Sequence, residues 1–101
     1  MIVVNVAVEI DPEDLPAMKE GIATMETASR AEAGCLDYTF SVELNNPSRL
    51  RITEKWETMD ALTAHFSAPH MGAFQALMTS YPPKGMEAFF YEAEEVTPPG
   101  M

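Results

Sequence analysis

Apolar side chains alternate with a mixed set at the start of the chain. Ile2, Val4, Val6, Val8 and Ile10 share one side of an extended segment, and Val3, Asn5, Ala7 and Glu9 share the other. A period of two predicts a half-buried strand, because successive side chains of an extended backbone point to opposite faces. The pattern changes at Asp11-Pro12-Glu13-Asp14. Asp11 offers a capping acceptor, Pro12 suits the first helical position, and the acids meet the positive end of a helix dipole. Leu15, Met18, Ile22 and Met25 then recur at three- and four-residue spacing. This predicts one amphipathic helix running to Ala33-Gly34, with Gly34 as a left-handed cap.

The period returns to two from Leu36, with Leu36, Tyr38, Phe40, Val42 and Leu44 on one face and Asp37, Thr39, Ser41 and Glu43 on the other. Asn45-Asn46-Pro47-Ser48 reads as a turn, and Leu50, Ile52, Glu54 and Trp56 alternate after it, so residues 36–57 are expected to form a hairpin. Glu54 is the anomaly on an otherwise apolar face. Thr58 or Asp60 caps a short helix carrying Leu62, His65 and Phe66, which Pro69 interrupts before Met71, Phe74, Leu77 and Met78 resume helical spacing. Tyr81 to Gly85 reads as a loop and Met86 to Val96 as the last strand. The order βαββαβ predicts an α+β, ferredoxin-like domain: a four-stranded antiparallel sheet with its helices on one face. That domain spans residues 1–96, followed by a flexible tail at 97–101. The other sheet face carries Val3, Ala7, Thr39, Thr53 and one of Phe89 or Phe90. It is less polar than a solvated face, so a second copy is expected to cover it.

The 101 residues leave room for one domain, and 47% apolar residues suit a folded chain. Six Lys and Arg against sixteen Asp and Glu give a net charge of −10. No basic stripe exists for phosphates, which argues against nucleic acid and anionic membrane surfaces as partners. Cys35 is the only cysteine and forms no intrachain disulfide. Ile2-Val3-Val4 is broken by Asn5, so the start lacks the long apolar core of a signal peptide. No stretch approaches the roughly 18 apolar residues of a membrane span. The expectation is a soluble, cytoplasmic protein.

The chain has no glycine-rich phosphate loop, no paired cysteines for zinc and no GxSxG nucleophile turn. His65 and His70 lie five apart with Pro69 between them, off the i, i+4 spacing of two ligands on one helix, so no metal is expected. What remains is a cluster of Tyr38, Trp56, His65, Phe66, His70, Phe74 and Tyr81. The two phenylalanines are accounted for by core packing, whereas Tyr38 and Trp56 suit either core or site. His65, beside Leu62 and Phe66, points inward, where an imidazole needs a partner. It is either a structural core residue or an acid–base group. His70 either orients the helix after Pro69 or exchanges protons. Met18, Met25, Met71 and Met78 suit core packing or an adaptable cavity wall.

Glu32-Ala33-Gly34-Cys35-Leu36-Asp37-Tyr38, then Glu54-Lys55-Trp56-Glu57, then Ala61 to His65 and Ser67-Ala68-Pro69-His70-Met71, resemble the antibiotic biosynthesis monooxygenase family, including its quinol monooxygenase-like proteins. The resemblance implies a homodimeric α+β barrel in which two sheets pack face to face. It also implies oxidation of a small aromatic, phenol or quinol by O2, with no cofactor. By that resemblance His65 would be the base, Trp56 and Tyr38 would orient the ring, and His70, Phe66, Phe74, Phe40, Tyr81 and Met25 would line the substrate site. Ile52 stands four residues before Trp56, where polyketide-oxidising members can carry a polar group, which points away from a polycyclic phenol. Relatives on the same scaffold leave two alternatives open: an isomerase or lyase using histidine as a proton shuttle, and a noncatalytic ligand-binding protein.

Overall fold

The structure, a computed structural model, describes residues 1–101. Strand β1 (Ile2–Glu9) leads through a 3-10 turn (Pro12–Asp14) into helix α1 (Leu15–Arg30). The β2 (Cys35–Glu43) and β3 (Asn46–Trp56) hairpin follows, then α2 (Met59–Phe66), α3 (Pro69–Ser80) and β4 (Gly85–Glu92). The sheet is antiparallel in the order β2-β3-β1-β4, the ferredoxin-like α+β arrangement expected from the periodicity. Its core is the face predicted from the alternation. Ile2, Val4, Val6, Val8 and Ile10 meet Leu50, Ile52, Trp56 and Tyr38, and Met25 of α1 and Leu62 of α2 close over them.

Several boundaries differ from the sequence expectation. Asp11 does cap, accepting from the Glu13 N–H at 3.0 Å, but the first turn is 3-10 and α1 ends at Arg30. Gly34 has φ +81°, yet it serves the entry to β2 and does not cap the helix: its carbonyl accepts from Glu57 N–H at 2.8 Å. The hairpin turn is Leu44-Asn45, and Asn46 to Ser48 belong to β3. A register shift between Val42 and Glu43 takes up the extra β3 residues, so Pro47 sits where the ladder is already irregular and its missing N–H leaves no regular bond unmade. A second shift between Cys35 and Asp37 leaves Leu36 exposed. The last strand stops at Glu92, well before Val96, because its partner β1 begins at Ile2 and no strand lies beyond for it to pair with.

Two consequences of the topology matter for function. At the β2 edge, the Glu26 carboxylate accepts from Phe40 N–H and Arg30 Nε donates to the Tyr38 carbonyl, both at 2.8 Å, so α1 occupies backbone groups an edge strand would otherwise expose. The β4 edge is open on both faces. Register places Phe89 and Tyr91 on the outer face opposite Asn5 and Val3, and Phe90 on the helix face opposite Val4. All eight β4 residues are exposed.

Gly34 and Gly72 offer a paired test. A Cβ on Gly34 would stand 2.7 Å from the Ala61 Cβ at a left-handed φ, whereas one on Gly72, inside α3, would meet nothing within 4 Å. In urea unfolding, Gly34→Ala should therefore lose at least about 1–2 kcal/mol, and Gly72→Ala should gain about 0.5–1 kcal/mol.

Candidate functional site

Pro69 makes the site possible. The chain closes α2 with Ser67 N–H to the Ala64 carbonyl and Ala68 N–H to the His65 carbonyl, then restarts as α3 at Pro69. His65 thus lies in the last turn of α2 and His70 in the first turn of α3, on two helices that need not share a direction. Their spacing along one helix, from which no metal was expected, therefore does not decide whether they share a partner. Both rings turn toward Glu32, in the turn between α1 and β2. His65 Nδ1 lies 2.6 Å and His70 Nε2 2.8 Å from the same oxygen, Glu32 Oε2.

A second layer backs this group. The Trp56 ring lies 4.7 Å and the Tyr38 ring 5.3 Å from the His65 imidazole, centroid to centroid. Trp56 Nε1 donates to Glu54 Oε1 at 3.0 Å, which explains the acid on the apolar face: it takes the one hydrogen bond a buried indole has to give. Burial pushes the Glu54 carboxyl up, and nearby Glu32 adds to this against the Trp56 hydrogen bond and His65. Burial, and then the Glu54 charge, also push the Tyr38 phenol well above its ordinary range, so it is held as neutral O–H. Trp56 is fully buried and His65 is 2% exposed.

Two cavities flank α1. One of about 510 Å³ lies between α1 and α3 and is lined by Met25, His70, Phe74 and Tyr81, with Gly21 and Leu77. The other, of about 570 Å³, lies between α1 and the hairpin and is lined by Leu15, Ile22, Phe40, Val42 and Leu50, with Lys19 and Glu26 at its polar edge. Neither has Tyr38, Trp56 or His65 in its wall. Of the residues expected from the sequence, His70, Phe74, Tyr81 and Met25 come together around one cavity. His65, Trp56 and Tyr38 form the packed layer behind it. Phe40 packs at a tilt against Phe74 with centroids 5.6 Å apart but faces the other cavity. Phe66 is half-exposed against Phe90, away from both. Glu32 had no role in the sequence reading, because one acid among sixteen carries no signal until two imidazoles are seen to need a partner.

This arrangement can move a proton. Glu32 holds His70 by Nε2, which fixes the ring and leaves Nδ1 as the nitrogen free of that bond. The carboxylate holds one ring nitrogen, and Met25, Phe74 and Leu77 give the cavity an apolar side for a ring-shaped ligand, beside the polar Glu20, Thr24 and Ser80.

The family model described as antibiotic biosynthesis monooxygenase matches residues 1–77. Among solved structures, a candidate antibiotic biosynthesis monooxygenase from Deinococcus radiodurans superposes with TM-score 0.85 at 25% identity, covering 97% of each chain. A candidate of the same description from Nitrosomonas europaea gives TM-score 0.84 at 18% identity, over 92% of this chain and 98% of that one. A conserved protein from Methanosarcina mazei gives 0.84 at 25% identity, over 92% of both. No curated protein matches the chain significantly.

Glu54 yields a prediction with a defined sign. An acid whose folded-state pKa is raised binds protons more readily in the folded than in the unfolded protein. Its contribution to stability is therefore present at low pH and is lost as pH rises from the unfolded value through the folded one. Glu54→Gln keeps an acceptor for Trp56 Nε1 and removes the charge. Thermal melts should show the variant more stable than the parent at pH 7, with the difference shrinking toward pH 4.

Proposed function

The chain belongs to the antibiotic biosynthesis monooxygenase family, and from that premise we propose that it oxidises a small phenol or quinol with O2, without a cofactor, in the cavity between α1 and α3. One observation carries the reading: His70 lines a partly apolar cavity, with Met25, Phe74 and Leu77 beside Glu20, Thr24 and Ser80, while the Glu32 carboxylate holds its ring. His70 is the base. His65, Trp56 and Tyr38, which the resemblance would put in contact with substrate, act from behind: they fill the space beside Glu32 and keep its carboxylate aimed.

In a reaction that uses no cofactor, the substrate itself must reduce oxygen. His70 takes the phenolic proton, and the resulting electron-rich anion adds O2 at a ring carbon that still carries hydrogen. The protonated imidazole returns its proton to the peroxide oxygen. Cleavage of the O–O bond with loss of that carbon's hydrogen leaves a quinone carbonyl and one water, so one oxygen atom enters each product. General base catalysis of this kind contributes about 100- to 10,000-fold, and Phe74, Met25 and Tyr81 offer the ring apolar contact. A second reading, a ligand-binding protein without turnover, is favoured by the close packing of Trp56, Tyr38 and His65.

The same premise supports a homodimer. Phe89 and Tyr91 on the outer sheet face are each 50% exposed, beside half-buried Val3 and Thr53, and a second sheet laid on this face would cover them. Sedimentation at micromolar concentration should give twice the mass of the chain, and Phe89→Asp should give the single chain. A wild-type monomer would reject the dimer.

For the reaction, oxygen uptake with a simple hydroquinone should fall about 100- to 10,000-fold in His70→Gln with the melting temperature little changed. His65→Gln should lower stability more and turnover less. The reverse pattern would make His65 the base. Substrate consumed without oxygen would indicate an isomerase or lyase, and saturable binding with no turnover a binding protein.

A further inference from the structure

We propose that Glu32, His65 and His70 form a binding site for a divalent transition-metal ion. Their three donor atoms, two imidazole nitrogens and one carboxylate oxygen, all lie within 4.8 Å of one another. An ion bound at 2.0–2.2 Å to such donors sets them about 3–3.5 Å apart, whereas the two nitrogens now stand 2.6 and 2.8 Å from Glu32 Oε2. Admitting the ion therefore requires the two nitrogens to draw back from Glu32 Oε2 by about 0.2–0.9 Å, the larger part of it at His65. The ligands come from three elements, the α1–β2 turn, the end of α2 and the start of α3, so the group is preassembled by the fold.

Charge favours the same occupant. Glu32 pairs with no lysine or arginine, and its only charge partners are the two imidazoles. The buried Glu54 carboxyl stands behind Trp56, and the chain as a whole carries −10. The donor set selects among cations. Two imidazoles and one carboxylate suit Zn²⁺, Fe²⁺, Co²⁺ or Ni²⁺, while Mg²⁺ and Ca²⁺ require oxygen ligands. Access is available because the His70 and Glu32 side chains are 17% and 16% exposed, whereas His65 is sealed in. Three protein ligands also leave a coordination position for water or a small anion. This site goes beyond the proposed oxidation and is independent of it. Where both hold, an ion on His70 takes the ring away from proton transfer, and zinc inhibits turnover.

The test uses the full chain after dialysis against a chelator, titrated without substrate, so its result does not depend on whether the protein oxidises anything. Calorimetry with Zn²⁺ should show one ion per chain with micromolar or tighter affinity, and Co²⁺ should develop visible absorption that Zn²⁺ abolishes. Mg²⁺ should give no heat. Glu32→Gln and His70→Ala should each weaken Zn²⁺ binding at least about tenfold, while the exposed control Asp60→Asn should bind like the parent. His70→Ala alters a partly exposed ring and serves if Glu32→Gln proves unstable. No saturable binding at 100 µM Zn²⁺, or binding unchanged in the folded His70→Ala protein, would overturn the proposal.

Discussion

A single carboxylate oxygen holds the ends of three segments together. Glu32 Oε2 receives His65 from α2 and His70 from α3, and Glu32 itself sits in the turn that carries α1 into β2. Hydrogen bonds to a charged group contribute about 1.5–3 kcal/mol each, and leaving a buried imidazole without a partner costs a comparable amount. The site and the helical layer therefore depend on one another. The helices position the imidazoles, and the imidazoles' need for an acceptor fixes where α2 ends and α3 begins relative to the turn after α1.

The aromatic layer extends this dependence into the sheet. Trp56 and Tyr38 project from adjacent strands onto the His65 ring, and Glu54 takes the indole N–H, so β2 and β3 read out the same centre from below. Such a buried polar network is costly when partly satisfied and rigid when complete. Its rigidity suits a base or a metal ligand that must stay aimed, and the open space lies beside His70 and not within the packed layer.

The sheet has unequal edges. At β2, Glu26 and Arg30 of α1 bind the backbone of the strand, so that edge is covered by the chain's own helix. At β4 no helix lies over the strand, and aromatic side chains remain half in water on both faces. The contrast follows helix length: α1 runs sixteen residues along the hairpin side, whereas α2 has eight and meets β4 at the Phe66–Phe90 contact.

The strands, the helices, their order and the core-facing residues of β1 and β3 were legible in the sequence because each follows from a local period, but of the second alternating run Leu36, Val42 and Leu44 are exposed and only Tyr38 is buried. The interruption at Pro69 was legible too, since a missing N–H acts on its immediate neighbours. Turn details were less so: Pro47 looked like the hairpin turn, but pairing with β2 and the register shift near Glu43 carried it into β3. In the candidate site the histidines, Trp56 and Tyr38 stood out by residue type, and Glu54 as an acid on an apolar face, but their arrangement did not. Trp56 binds Glu54 two residues away on the same strand face, but only the tertiary structure decided that His65 and His70 share Glu32 and that His70 faces a cavity. Those contacts join residues up to 38 positions apart, and distance in space between such residues is set by how helices stack on a sheet, which no local period encodes.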